Sequence, residues 1–95
     1  MIQIAKHKFR LGQVVTTPCA LDALNESGQT PFEFLSRHLT GDWGIVDDED
    51  KHANDDALIH GERLLSAYLT NKGVKIWVIT EADRSSTCLL LPTEY

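Results

Sequence analysis

The residues best suited to chemistry lie in the polar segment 81–86, which holds two carboxylates and one guanidinium within four positions. Glu81 and Asp83 can accept hydrogen bonds or protons, and Arg84 can stabilise an anion. The same Asp-Arg-Ser-Ser composition is also typical of a turn that its own side chains cap and pair. The segment therefore supports two interpretations, a structural turn and a binding or catalytic site.

Strand pairing would extend this set. The apolar runs 64–69 and 74–80 flank Asn71-Lys72-Gly73, a sequence suited to a hairpin loop. Such a hairpin places Arg63 or Glu62 opposite Glu81. We therefore predict an ion pair across the hairpin, with the Asp83 carboxylate bound to Arg84 or to a backbone amide.

A nuclease arrangement is one chemical hypothesis for this region. Small ribonucleases use a base, an acid and cationic phosphate stabilisation on a sheet face. The residues that would fill those roles here are His60, Glu81, Arg84 and Tyr68. The net charge of −5 argues against the hypothesis, because a protein that binds RNA is expected to be basic.

A second set of candidate ligands is spaced at helical intervals. His52, Asp56 and His60 recur every four residues, so a helix would stack them on one face. One ion cannot take all three comfortably, because the second interval adds about 6 Å of rise. We interpret the set as a solvated helix face and predict neither a metal site nor a cofactor.

Charge is concentrated in one segment. Residues 42–62 hold eight acids and Lys51 as the one Lys or Arg, whereas the flanking parts are almost neutral. An acidic surface repels phosphates and attracts basic proteins, so it disfavours nucleic acid as a partner and favours a protein or a second copy. The residues predicted to bind are Asp48, Asp50, Asp55, Arg63 and Asp83.

Size and composition indicate one globular domain spanning residues 1–95. No apolar run approaches the roughly 18 residues of a membrane helix, and the start lacks the apolar core of a signal peptide. These features predict a cytoplasmic protein. Cys19 and Cys88 form no paired motif, and we expect both to be free and buried.

The first half of the chain predicts one strand and two short helices. Residues 9–16 alternate as a strand does, and Thr17-Pro18 is typical of a helix start. Thr30 precedes a second start, and Glu33 is placed to complete a capping box with it. Gly41 would end that helix.

The second half predicts an acidic helix and then a meander. Asp47-Asp48-Glu49-Asp50 favours a helix start and Gly61 an end. Residues 63–95 hold three runs typical of strands. The predicted fold is α+β, in the order β-α-α-α-β-β-β, with an antiparallel sheet of about four strands and helices on one face. The predicted core comprises Phe32, Leu35, Leu39, Trp43, Leu65, Ile76 and Val78, together with a hydrogen-bonded His38.

Four segments resemble a family of short, uncharacterised bacterial proteins described as plasmid-related. They are Gly41-Asp42-Trp43-Gly44, residues 61–68, residues 75–85 and Leu91-Pro92-Thr93-Glu94-Tyr95. The resemblance covers most of the chain, from about Gly12 to Tyr95. It implies a cytoplasmic bacterial protein compatible with origin on a mobile element, and it implies no activity.

Two functional hypotheses follow. The first is a non-enzymatic interaction or accessory module, or a homodimer, that docks through its acidic helix. The second is a small ribonuclease or toxin-like enzyme that uses the polar residues at the end of the sheet.

Overall fold

The computed structural model describes residues 7–95 and has the predicted α+β order of elements. Its bounds are β1 Gln13–Thr16, α1 Pro18–Glu26, α2 Pro31–Leu39, α3 Asp48–His60, β2 Leu64–Leu69, β3 Lys75–Thr80, β4 Ser86–Leu90 and a 3-10 turn at Pro92–Glu94. Within residues 7–95, no helix has the length and apolar character needed to cross a membrane.

The helix ends follow from local chemistry, with one exception. The Thr17 hydroxyl accepts the Ala20 amide at 3.2 Å and begins α1. Asp47 accepts the Asp50 amide at 2.8 Å and begins α3, as predicted from its aspartates. The capping box expected at Thr30 is wrong, because the Thr30 side chain caps nothing. The Glu33 carboxylate instead accepts from the side-chain amide nitrogen of Gln29. The side-chain oxygen of Gln29 accepts the backbone amide of Asn71 in the hairpin loop.

The sheet has the order β1-β4-β3-β2. Strands β2, β3 and β4 form the predicted antiparallel meander, but β1 pairs parallel to β4, which corrects the expectation of an antiparallel sheet. The reason lies at Gly12, whose positive φ of 65° brings the chain against the backbone of Arg84 and Ser85. Since β1 and β4 both start beside this turn, they run in the same direction.

The strand predicted over residues 9–16 is shorter than expected. Gly12 breaks the extended conformation, and β1 starts at Gln13. Phe9 and Leu11 leave the sheet and pack against two different apolar clusters. Alternation alone does not show this, because apolar residues at alternate positions can also belong to an irregular segment that crosses the core.

The main core lies between the helices and one face of the sheet. It consists of Ala20, Leu24, Phe34, Leu35, Tyr68, Ile76, Val78 and Leu89. The prediction that Phe32 is in the core is wrong, since its side chain is 75% exposed. Phe32 lies in the first turn of α2, about 90° around the helix from the centre of the buried stripe. Leu65 is half-buried and points to the opposite face of the sheet, so it lies outside the main core.

That opposite face bears no helix in the described part of the chain. The strand register places Leu65, Leu69, Trp77 and Ile79 on it, and the ring of Tyr95 packs edge-on against Trp77 at 5.7 Å. Leu69 remains 49% exposed and Tyr95 70% exposed. The C-terminal turn therefore covers this apolar face only in part.

The outer edge of β2 is closed by two different devices. The Asn54 side chain donates to the Leu65 carbonyl at 2.7 Å and accepts the Leu65 amide at 3.0 Å, as a paired strand would. Farther along, the segment around Gly44 runs beside Ala67 as a parallel bridge. Main-chain groups of Trp43 and Ile45 make hydrogen bonds of 3.1 and 2.8 Å to Ala67.

The close approach at Gly44 leaves no room for a side chain. A Cβ atom there would lie 2.0 Å from the Ala67 carbonyl oxygen, and the φ angle is 77°. At Gly73, in the hairpin loop, φ is 80° but a Cβ atom would meet nothing within 4 Å. The two glycines thus share the backbone conformation and differ in the space around them.

We therefore predict that Gly44→Ala destabilises the fold much more than Gly73→Ala. Gly73→Ala should lower the free energy of unfolding by about 1 kcal/mol, the cost of a left-handed alanine. Gly44→Ala adds overpacking against the sheet edge and should cost roughly 1–3 kcal/mol more. Urea denaturation of both variants measures the difference. Equal losses would mean that the contact with Ala67 contributes nothing.

Candidate functional site

Arg63 and Glu81 meet at the end of the sheet, as the hairpin register predicts. Leu64 pairs with Thr80, so the two residues that follow outward face each other, and the Arg63 Nη2 atom lies 3.5 Å from Glu81 Oε2. Both side chains are about half exposed. Arg63 also donates to the hydroxyl of Tyr95. The pair is accessible to solvent and lies on the face of the sheet that the helices leave uncovered.

The Arg84 guanidinium donates its hydrogen bonds to backbone carbonyls. Its Nη1 atom donates to the carbonyl of Glu62 at 2.6 Å and to that of Glu81 at 3.0 Å. Its Nη2 atom donates to the carbonyl of Ala57 at 3.1 Å. The guanidinium also lies 5.7 Å from the ring centre of Phe9. These contacts join the end of α3 to the turn between β3 and β4.

The turn itself holds Arg84 in place. Arg84 is the one residue other than glycine with positive φ among residues 7–95, at 61°. The Asp83 carboxylate accepts the Ser85 amide at 3.0 Å, and hydrogen bonds from Ser85 lower the pKa of that carboxyl. The predicted contact of Asp83 with a backbone amide is confirmed. The strained conformation directs the arginine side chain to the carbonyls of α3.

Tyr68 lies on the other side of the sheet from Glu81. It is 1% exposed, its ring stacks on Phe34 at 5.1 Å, and its hydroxyl donates to the Asp42 carbonyl at 2.5 Å. Burial raises the pKa of the phenol to about 12. Tyr68 thus contributes packing and one hydrogen bond to the core.

His60 is exposed at the last position of α3. Among residues 7–95, no hydrogen bond or ion pair joins it to Glu81, Arg84 or Tyr68. The four residues named for a ribonuclease role are therefore not brought together. His60 is exposed at the end of α3, and Glu81 is paired with Arg63. Arg84 donates to the carbonyl of Ala57 in α3, and Tyr68 is buried.

The acidic helix presents its charges to solvent. Asn54 and Ala57 are its buried residues, and every acid from Asp47 to Asp56 is exposed. Asp48 and Asp50 lie in the first turn, where the helix dipole favours negative charge. Asp55 has a structural contact as well, because its carboxylate accepts the indole N–H of Trp43 at 3.1 Å. Asp48 and Asp50 are thus the predicted binding residues on α3 that have no such core contact.

Potential metal ligands do not form a cluster in the described part of the chain. His52, Asp56 and His60 are exposed along α3, and no three His, Cys, Asp or Glu side chains within residues 7–95 are arranged to hold an ion. Both cysteines are free thiols. Cys19 is exposed and Cys88 is half-buried, so the expectation that both are buried is wrong.

The most extensive polar network lies inside the core, at His38. The imidazole is fully buried, with Nδ1 2.5 Å from the Ser66 hydroxyl and Nε2 2.9 Å from the Thr80 hydroxyl. Thr80 Oγ1 lies 2.8 Å from Thr87 Oγ1, and Thr87 donates to the Leu11 carbonyl at 2.7 Å. Sequence reasoning predicted a hydrogen-bonded core histidine, and the network confirms it.

The donor and acceptor in each hydrogen bond from the Leu11 carbonyl back to His38 Nε2 can be assigned, starting from the carbonyl. The Leu11 carbonyl can only accept, so Thr87 uses its one proton there and must accept from Thr80. Thr80 must then accept from Nε2–H, so Nε2 carries a proton. Because burial disfavours a second proton on the ring, the imidazole is neutral near pH 7 and Nδ1 accepts from the Ser66 hydroxyl. Burial, assisted by the positive charge of Arg84, lowers its pKa to about 4.

Comparison of the chain with protein-family models, with curated proteins and with solved structures finds no match in any of the three. The resemblance to short bacterial proteins stays a prediction. Inferences about function therefore depend on the geometry of the chain itself.

The contacts of Arg84 predict a large stability effect on substitution. Arg84→Ala should lower the free energy of unfolding by about 1–3 kcal/mol, because the partly buried carbonyls of Ala57 and Glu81 lose a charged donor. Arg63→Ala, which breaks an exposed pair, should cost less than about 1 kcal/mol. Chemical denaturation of both variants measures this. A loss as small for Arg84→Ala as for Arg63→Ala would contradict the structural role.

The buried neutral His38 predicts lower stability in acid. Its pKa of about 4 in the folded state lies below the ordinary value of 6.5, so the unfolded chain binds the proton more tightly. This contribution is complete above about pH 6.5 and is lost as pH falls toward 4, by up to about 3 kcal/mol. Urea titrations between pH 7 and pH 4 would measure the slope. His38→Gln should flatten that slope, and an unchanged slope would contradict the assignment.

Proposed function

We propose that the chain is a non-enzymatic interaction module of the bacterial cytoplasm, and that α3 docks a basic surface on a protein partner. The observation that carries the proposal is the exposure of all six acids between Asp47 and Asp56 on one helix. The helix is attached to the domain by Asn54, Ala57 and Leu58, which leaves most of its circumference in solvent.

The charge distribution supports a protein partner. Lys51 is the one Lys or Arg between residues 42 and 62, so the helix has little internal compensation for its carboxylates. A concentrated charge of one sign steers a partner of opposite charge and speeds association, and this effect weakens with salt. The same charge disfavours nucleic acid. An accessory role for a mobile element accords with the resemblance described above.

The enzyme hypothesis has less support. A general acid or base must lie within hydrogen-bond reach of the reacting group, and a phosphate needs donors that are not already used. Arg84 donates to backbone carbonyls and Tyr68 donates to Asp42 inside the core. Glu81 and Arg63 are the accessible pair, and they fit a binding role at the sheet end better than a catalytic one.

The docking proposal predicts that neutralising the first turn of α3 weakens binding of a basic probe. A fluorescent lysine–glycine repeat peptide should bind the wild-type protein, and Asp48→Asn combined with Asp50→Asn should reduce its affinity severalfold. Asp55 is left intact, because its carboxylate binds Trp43. Fluorescence anisotropy at two ionic strengths measures the affinities, and binding should weaken as salt rises.

The matched control is Asp22→Asn combined with Glu26→Gln. These acids are exposed on α1, so the control removes the same charge from another helix. It should retain nearly wild-type affinity. Equal loss in both double variants would show that net charge alone attracts the peptide, and would overturn α3 as the docking surface.

A further inference from the structure

The two edges of the sheet differ in how their backbone groups are satisfied. The edge at β2 is closed by the Asn54 side chain and by the bridge at Gly44. At the other edge, β1 is the last strand that the structure describes. Exposed strand edges are templates for pairing with another chain, and proteins usually protect them. Because the β2 edge is protected in this way, unpaired backbone groups at the β1 edge would indicate a place where another strand can bind.

The outward groups of β1 belong to alternate residues. The amides of Gln13 and Thr17 donate inward, to the carbonyls of Ser85 and Leu89, both at 3.0 Å. In a parallel ladder this alternation turns the N–H and C=O of Val14 and Thr16 away from β4. Among residues 7–95, no partner accepts from either of these two amides.

The strand at this edge carries no charged side chain, and the carboxylate of Glu94 accepts the Thr17 hydroxyl just beyond the strand. The strand sequence is Gln-Val-Val-Thr, with no lysine, proline or acid to discourage pairing. Val14 is 41% exposed on the helix side of the sheet and Val15 is 45% exposed on the other side. Leu21, one turn into α1, is 39% exposed. Apolar surface therefore flanks the outward backbone groups on both faces.

We propose that a second copy of this chain pairs with β1 in an antiparallel arrangement, which joins two four-stranded sheets into one sheet of eight strands. A two-fold axis at Val15 would let Val14 of each copy exchange both main-chain hydrogen bonds with Thr16 of the other. The two Val15 side chains would then meet as the central pair. This inference is independent of the docking role of α3.

Charge favours a second copy at this edge. The acidic helix packs beside β2, at the opposite end of the sheet. Pairing through β1 separates the two β2 strands by seven strand spacings, roughly 34 Å. This exceeds the Debye length of about 8 Å at physiological salt, so the acidic helices scarcely repel each other. The uncharged β1 edge is thus where two acidic molecules can associate at least electrostatic cost.

The test is the oligomeric state of the full chain by sedimentation equilibrium. The wild-type protein should form a dimer at high micromolar concentration. Val15→Lys should raise the dimer dissociation constant by at least about tenfold, since a charge would sit at the paired edge. Val14→Pro should do the same by removing an outward amide that the sheet does not use. Circular dichroism would establish that each variant remains folded.

The matched control is Leu69→Lys. Leu69 is 49% exposed, lies on the same face as Val15 and belongs to the opposite edge strand. The dimer should survive this substitution. If Leu69→Lys dissociates the dimer and Val15→Lys does not, the copies stack through the open faces of their sheets, and the proposal is overturned.

Amide hydrogen exchange gives a second readout. The amides of Val14 and Thr16 should become protected as protein concentration rises. A monomer in which both amides exchange freely would overturn self-association and leave the edge to a foreign strand. A monomer in which both are protected at every concentration would overturn it in favour of coverage within one chain.

Discussion

The Arg84 guanidinium joins parts of the chain that are far apart in sequence, and several local conformations depend on it. It binds the carbonyls at the end of α3, so the exit of that helix has a fixed position relative to the turn between β3 and β4. The backbone of the same turn contacts Gly12, beside which β1 begins. The turn that carries Arg84 therefore contacts the end of the acidic helix through its arginine side chain and the start of the parallel strand through its backbone.

This arrangement explains a conformation that is otherwise costly. A non-glycine residue at a φ of 61° carries about 1–3 kcal/mol of strain. Several charge-assisted hydrogen bonds to carbonyls can offset that amount. A polar turn with an aspartate and an arginine resembles an active site in sequence, because the residue types that cap backbone groups are also those that bind substrates.

The His38 network imposes a similar constraint inside the core. When the imidazole is neutral, its protons can be arranged in one way, which fixes the tautomer of the ring and the orientation of three hydroxyl groups. The network joins α2, the inner faces of strands β2, β3 and β4, and the segment before β1. All of these elements must be correctly positioned for its hydrogen bonds to form. A core that satisfies such a network is specified more narrowly than one held by apolar contacts alone.

Much of the fold could be predicted from the sequence, and the failures have a common cause. Local signals were sufficient for Thr17, Asp47 and Gly61 as helix ends and for the pairing of Arg63 with Glu81. The missed features depend on contacts between distant segments. The direction of β1 and the contacts of Arg84 arise only when residues separated widely in the chain come together, and no local pattern encodes them.

For the candidate sites too, local sequence patterns were informative and contacts between distant segments were not predictable. The exposure of the α3 acids could be predicted, because a helix with so few apolar residues can bury little of its surface. The different treatment of the two sheet edges could not. Asn54 gives no sign in sequence that its amide will substitute for a strand, and Gln13–Thr16 gives no sign that it lies at the other edge. Once the strand order is known, the acidic helix and the uncharged edge lie at opposite ends of one sheet. That separation allows one small domain to attract a basic partner at one end and pair with its own copy at the other.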